Sequence, residues 1–316
     1  MRKTARGKKP VEGVVQLVPT VYKKNFELDT QGLRENIEFL AESGIHGIGT
    51  NGSVGEFYQT PFQEFKKIVD IGVEAAGKSM YMAGCNWQNT HECIRRAKYA
   101  EDAGADTVMI VPPYYMGSPA CPQEEIYEHY RAVHDETEEI QILVYNNPTL
   151  SKANVTPDLW DKLVKLERIV AVKESVTSVE QMSELIRRHG KRINVLGGYE
   201  AQLLPLMLMG GKGTIAIWGL ARPKLVLEFY KACVEAKTSS NALEKAVRIH
   251  MSFTEEAWRV NTATAREEFA WVAYFKGLNE VAGRKAGPPR LPYRSLPQEF
   301  RNETKKWLER LATSAK

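Results

Sequence analysis

A lysine that closes an apolar run can act as a reagent, because partial loss of hydration favours its neutral, nucleophilic amine. Lys173 ends the run IVAVK, and an amine in that position attacks a ketone to give an imine. Its plainer role would be that of a rim cation paired with Glu174. Tyr145 ends QILVY, where a phenol can move protons while an imine forms and a carbon bond is made or broken. Its plainer role would be that of an aromatic packed on a helix. The loop GTNGSVGEF, from Gly49 to Phe57, offers glycine-flanked backbone N–H groups near a helix start, with the Ser53 hydroxyl beside them. Such a loop cradles a carboxylate, although many strand-to-helix turns contain glycines and never meet an anion.

Tyr145 and Lys173 each close one of eight short, nearly continuous apolar runs: VVQLV from Val14, IHGIGT from Ile45, MYMAG from Met80, TVMIVP from Thr107, QILVYN from Gln141, IVAVK from Ile169, INVLG from Ile193 and TIAIW from Thr214. An amphipathic stretch follows each run, from QGLRENIEFLAES after the first to RPKLVLEFYKACVEA after the eighth. This alternation predicts parallel βαβ units closing as an α/β fold, a TIM (β/α)8 barrel whose strands are buried on both faces. A doubly wound open sheet is the alternative, and it lacks its GxGxxG after the first strand. Barrels keep their chemistry at the C-terminal strand ends, where Tyr145 and Lys173 fall on adjacent strands. Residues 1–10 read as a basic disordered arm, 11–240 as the barrel, and 241–316 as a C-terminal helical extension packed on it.

The composition, 43% hydrophobic and 26% charged over 316 residues, is globular. The first ten residues, MRKTARGKKP, hold five Lys or Arg and no acid, so a formal net charge of +4 leaves −1 for the remainder. A near-neutral body with no recognisable binding motif predicts no nucleic-acid partner. Cys85, Cys93, Cys121 and Cys233 have neither CxxC pairing nor zinc-site spacing, and read as free thiols of a reducing compartment. No apolar run reaches the roughly 18 residues of a membrane span, and no hydrophobic segment follows the N-terminal charges, so a cytoplasmic protein with no membrane partner is expected. MGGKGT, ending at Thr214, leads into a strand and not a helix, unlike a P-loop.

The segments GSVGEF, VPPYY, ILVYNNP and VAVKES, on strands two, four, five and six, resemble the dihydrodipicolinate synthase and N-acetylneuraminate lyase superfamily of class I Schiff-base aldolases. The resemblance runs from Val11 through Leu220, and AGPPRLPY extends it. It implies that Lys173 condenses with pyruvate or another 2-oxo acid, with no metal and no cofactor beyond that covalent imine. It implies that Tyr145 is the catalytic tyrosine and that Ser53 and the backbone at Val54 bind the substrate carboxylate. Tyr115 matches a catalytic tyrosine that reaches into a neighbouring subunit's site, which implies a dimer at least and points to a homotetramer, a dimer of dimers. Gly198 and Ile215 match positions lining the pyruvate end.

Departures from the superfamily pattern bear on the second substrate. Val54 stands where a second hydroxyl is usual. Leu150 stands where dihydrodipicolinate synthases carry an arginine five residues past the tyrosine, which argues against aspartate semialdehyde unless Lys152 takes over that contact. N-acetylneuraminate lyases share the leucine and the Gly-Tyr of GGYEA, but Ala201 and Ile217 replace an acid and a serine that would hold a polyol, and Glu200 alone makes a thin sugar site. Trp218, with Tyr199 nearby, suits an apolar or aromatic arm, its plainer role being barrel-mouth packing. Asn147, Trp218 and the spacing to Trp160 resemble the hydratase-aldolases that act on benzylidenepyruvates such as the trans-o-hydroxy compound. The expected reaction is aldol cleavage or hydration-cleavage, with the Lys173 imine as electron sink, yielding pyruvate and an aldehyde. The alternatives are a 2-keto-3-deoxy sugar acid aldolase or dehydratase, a condensation like that of 4-hydroxy-tetrahydrodipicolinate synthase, and a non-catalytic homologue that binds a 2-oxo acid.

Overall fold

The computed structural model describes residues 9–115 and 117–314; the first eight residues of the basic arm lie outside the described residues. Eight parallel strands close in sequence order into a barrel: β1 Gly13–Leu17, β2 Gly47–Thr50, β3 Met80–Gly84, β4 Thr107–Ile110, β5 Gln141–Asn146, β6 Ile169–Glu174, β7 Asn194–Gly197 and β8 Gly213–Ala216. The seam pairs Gly13 with Gly213. A Cβ on Gly213, whose φ is +151°, would lie 1.9 Å from the Gly13 carbonyl oxygen, so closure requires glycine there.

Around the barrel run α1 Thr30–Glu42, α2 Phe62–Ala75, α3 Thr90–Ala103, α4 Gln123–Glu136, the single turn α5 Pro148–Ser151, α6 Pro157–Leu163, α7 Val179–His189, α8 Leu203–Met209 and α9 Pro223–Glu235. Three more helices follow: α10 Ser240–Ala265, α11 Trp271–Val281 and α12 Gln298–Ser314. Among the described residues no helix is long and apolar enough to cross a membrane, and all four cysteines are buried and unpaired.

Strand ends differ from the sequence expectation where side-chain carboxylates and amides replace the ladder. β8 stops at Ala216, two residues before Trp218, because Glu200 accepts hydrogen bonds from the backbone N–H groups of Ile217 and Trp218 at 2.8–3.1 Å. β4 stops at Ile110, because the Val111 N–H donates to Asn86 Oδ1. The turn α5 was not expected. It forms because Asn147 Oδ1 caps the Leu150 N–H and Pro148 supplies a pre-set first helical φ.

The C-terminal helices are fastened to the barrel mouth by a buried ion pair. Lys276 of α11 and Glu56 of the loop after β2 are 1% and 0% exposed, with 2.9 Å between Nζ and Oε1. Lys276 also donates to the carbonyls of Thr20 and Pro288, each at 2.9 Å, and lies 4.2 Å from the Tyr22 ring centroid. The other Glu56 oxygen accepts the Arg290 N–H at 2.9 Å. Burial pulls the Lys276 ammonium down to about 8 although Glu56 holds the charge in place. Removing one partner strands a buried charge. Lys276→Met should therefore cost about 3–5 kcal/mol in urea unfolding, with the Lys276→Met/Glu56→Gln pair costing less than the two single changes together; a loss below about 1 kcal/mol would show that the pair holds nothing.

Candidate active site

Strand register sets the centre of the site. Tyr145 of β5 lies directly opposite Lys173 of β6, and the Lys173 Nζ is 4.1 Å from the Tyr145 ring centroid. Both are 3% exposed. The Tyr145 hydroxyl is 3.3 Å from Ser53 Oγ and accepts from Asn147 Nδ2 at 3.2 Å. Burial alone would raise the phenol's pKa, but the Lys173 ammonium and hydrogen bonds from Ser53, Asn147 and Lys173 outweigh it, and the net shift is downward from 10. An amine, a phenol eased towards ionisation and a hydroxyl thus meet at one point, the equipment for imine chemistry with local proton transfer.

The ion pair of Lys173 with Glu174 does not form. Alternate residues of a strand point to opposite faces, and Glu174 points the other way. Its carboxyl accepts from Asn146 Nδ2 at 2.9 and 3.2 Å and from the Val176 N–H at 3.3 Å. Burial pushes it up to about 8 against these bonds. Ser53 opens a 3-10 turn, Ser53–Gly55, whose internal bonds use the N–H groups of Gly55 and Glu56, while the Val54 side chain is buried.

Above Tyr145 lies a cavity of about 310 Å³. Ser53, Tyr145 and Asn147 form its polar end. The rest is Phe57, Tyr58, Val111, Tyr114, Leu150 and Ser151, closed by Ala270, Trp271 and Val272 at the start of α11 and by Tyr293. No described lining residue is a cation or an acid. Lys152 does not take the place of the missing arginine, since its Nζ turns back to the Thr149 carbonyl. Lys173 lies beneath the Tyr145 ring and is not part of the lining.

Other sequence-derived site residues lie elsewhere. Trp218 is not in the lining: it is 4% exposed, donates its indole N–H to the Tyr274 hydroxyl at 3.2 Å, and packs on Phe275 with centroids 5.3 Å apart. With β8 ended early, its ring finds better burial against α11 than at the open mouth. Tyr199 stands edge-on to Trp218 at 6.4 Å and is not in the lining either. Gly198 presses on Ser175, where a Cβ would meet Oγ at 1.9 Å, and Ile215 is wholly buried. Trp160, also wholly buried, is core. Tyr115 is 82% exposed with φ +99°, a left-handed conformation that costs a non-glycine residue energy. Glu200 is spent on backbone N–H groups and is pushed by burial up to about 7. Trp271, Tyr293, Phe57, Tyr58 and Tyr114 were missed as site residues. The available signals were the aromatic density of FAWVAYF and the tyrosine ending AGPPRLPY.

Residues 10–311 match the sequence model of the dihydrodipicolinate synthetase family. The chain belongs to that family. It is 32% identical over 302 residues to the 4-hydroxy-tetrahydrodipicolinate synthase of Archaeoglobus fulgidus, covering 95% of this chain and 98% of that protein. A crystal structure of a dihydrodipicolinate synthase superposes with a TM-score of 0.82 at 32% identity, over 95% of this chain and 99% of the other. The sialic acid aldolase of Ruminococcus gnavus, in a catalytic lysine mutant, superposes over 100% of both chains with a TM-score of 0.87 at 20% identity, a likeness of fold. As a member of the dihydrodipicolinate synthetase family, this chain is a lyase-type enzyme whose chemistry runs through a Schiff base with pyruvate.

The buried carboxyls make stability depend on pH. Folded Glu174 keeps its proton to about pH 8, whereas the unfolded chain releases it near the ordinary 4.5, so stability falls as pH rises from about 4.5 towards 8. Glu200, with its pKa at about 7, acts in the same direction. Buried His129, held down to about 4, acts the other way below about 6.5, so thermal melts are compared at pH 6.5 and 8: the midpoint should be higher at the lower pH, with Glu174→Gln shrinking the difference, and an unchanged difference would mean that Glu174 is ionised in the fold.

Proposed function

We propose that this enzyme is a pyruvate-dependent aldolase acting on a partner with an apolar or aromatic arm. The observation that carries this reading is the cavity above Tyr145, lined largely by aromatic and aliphatic side chains and holding no cation. An apolar lining with a few converging polar groups suits an apolar ligand, and an unpaired carboxylate there would lose hydration without compensation.

In the proposed mechanism the 2-oxo acid carboxylate rests on Ser53 Oγ and the Val54 N–H, with Gly198 and Ile215 bounding its methyl end. Neutral Lys173 attacks C2, Tyr145 gives its proton to the departing hydroxyl, water leaves, and a protonated imine forms beside the Tyr145 phenolate. In cleavage, Tyr145 takes the proton of the C4 hydroxyl, the C3–C4 electron pair moves into the imine, and an aldehyde departs. The remaining enamine is protonated at C3, and water releases pyruvate from Lys173. Asn147, which donates to the Tyr145 hydroxyl, orients that phenol and, in a hydration-cleavage, the water added at C4. Tyr115 would complete a neighbouring subunit's site in a homotetramer, which its exposure permits. The free cysteines fit a cytoplasmic setting.

A second reading, condensation of pyruvate with aspartate semialdehyde, is favoured by the synthase relatives at 32% identity. Leu150 at the cavity and Lys152 turned back on Thr149 weigh against it. The two readings share the imine and divide on the aldehyde. Borohydride with pyruvate should leave a reduced adduct on Lys173, absent in Lys173→Ala, and Tyr145→Phe should lower kcat by about 10²–10⁴. Benzaldehyde should exceed aspartate semialdehyde in kcat/KM by about tenfold or more, the worth of one buried carboxylate left without a partner. The reverse order would make this a synthase, and no adduct with any 2-oxo acid would leave a non-catalytic binder.

A further inference from the structure

One wall of the cavity belongs to the C-terminal helices. Trp271 and Val272 open α11 just after its N-cap residue Ala270, and Trp271 is half-buried at the cavity edge. Its ring rests on Phe275, one helical turn on, with centroids 4.4 Å apart, and Phe275 in turn meets Trp218 at 5.3 Å. Trp218 is fixed by its hydrogen bond to the Tyr274 hydroxyl, which donates to the Glu256 carboxylate at 2.5 Å. Each ring therefore has a packed neighbour behind it, and the last exposes part of its surface to the cavity. Tyr58 and Tyr293 stand edge to face 6.2 Å apart, and both line the same space. Lys276, five residues past Trp271 and held by Glu56, ties the height of this helix to the loop that carries Ser53.

We infer that Trp271 is the specificity-determining residue of an aryl subsite, and that Trp218 is a positioning residue acting on it through Phe275. This rests on the aldolase reading above for the reaction, but not for the subsite. A flat aromatic arm projecting from C4 would stack on or edge against the Trp271 ring, an arrangement worth about 0.5–1.5 kcal/mol beyond area burial. A polyol arm would meet no charged partner there, and hydroxyls set against the Trp271 ring would be left desolvated. The packing behind Trp271 keeps its rotamer fixed before the substrate arrives, so little ordering cost falls on binding.

Two measurements separate the subsite from the reaction. Binding of benzyl alcohol and of glycerol, which form no imine, is followed by saturation-transfer NMR on the whole enzyme. The wild type should prefer benzyl alcohol, and Trp271→Ala should weaken it about tenfold while Trp271→Phe recovers most of the loss. With pyruvate present, the ratio of kcat/KM for benzaldehyde over propanal should fall about tenfold in Trp271→Ala through KM, and part-way in Trp218→Phe. The Trp218→Phe effect on the ratio should vanish when Trp271 is already alanine, as expected of a residue acting through it. An unchanged benzyl alcohol affinity and an unchanged aldehyde ratio in Trp271→Ala would overturn the inference even if the Lys173 adduct forms. Loss of benzyl alcohol binding in Trp271→Ala, with no adduct in the wild type, would keep the subsite and remove the aldolase reading.

Discussion

One buried ion pair, Glu56 with Lys276, joins the two parts of the chain that must meet at the barrel mouth. A charge pair with both members at most 1% exposed survives only if its remaining hydrogen-bonding capacity is met, and here the Thr20 and Pro288 carbonyls and the Arg290 N–H meet it. Those partners come from the β1 exit and from the segment after α11. Fixing Glu56 fixes Ser53 three residues earlier, and fixing Lys276 fixes Trp271 five residues earlier. The loop that carries Ser53 and the α11 wall of the cavity are therefore held in register by one contact.

A second constraint works within the sheet. The alternation of side chains along β6 sends Lys173 to the Tyr145 side and Glu174 to the Asn146 side, so amine and carboxyl occupy separate environments although adjacent in sequence. The consequence for Tyr145 is electrostatic. Burial would raise the phenol's pKa, and the Lys173 ammonium outweighs it only together with the hydrogen bonds from Ser53, Asn147 and Lys173. A slip of one residue between β5 and β6 would bring Glu174 to this point and reverse the sign of the effect.

The barrel was legible in the sequence because each strand is a short β-branched run followed by an amphipathic helix, a pattern set by local burial. Tyr145, Lys173 and Ser53 were legible for the same reason: each sits at a strand end or in the turn that follows. Trp218 shows the limit. Its position in the sequence pointed to the mouth, but Glu200 captured the backbone at Ile217 and Trp218, ended the strand early and left the ring to the α11 helix. Trp271 and Tyr293 were not legible as wall residues, because they lie about a hundred residues beyond Lys173 and the contact that brings them back, Glu56 to Lys276, has no local signature. An isolated glutamate and an isolated lysine 220 positions apart look like surface charges until the fold buries both.

The cavity has a floor made by barrel strands and a wall made by a helix outside the barrel. Floor residues such as Tyr145 sit in ladders where their backbones hold two neighbouring strands, so the sheet itself penalises change there. Trp271 and Tyr293 carry no sheet hydrogen bonds, and their substitution alters the shape of the wall without touching strand pairing. Selection can therefore redraw which partners fit while the bond-making groups stay in place, a division of labour in which one segment conserves a reaction and another is free to diversify its use.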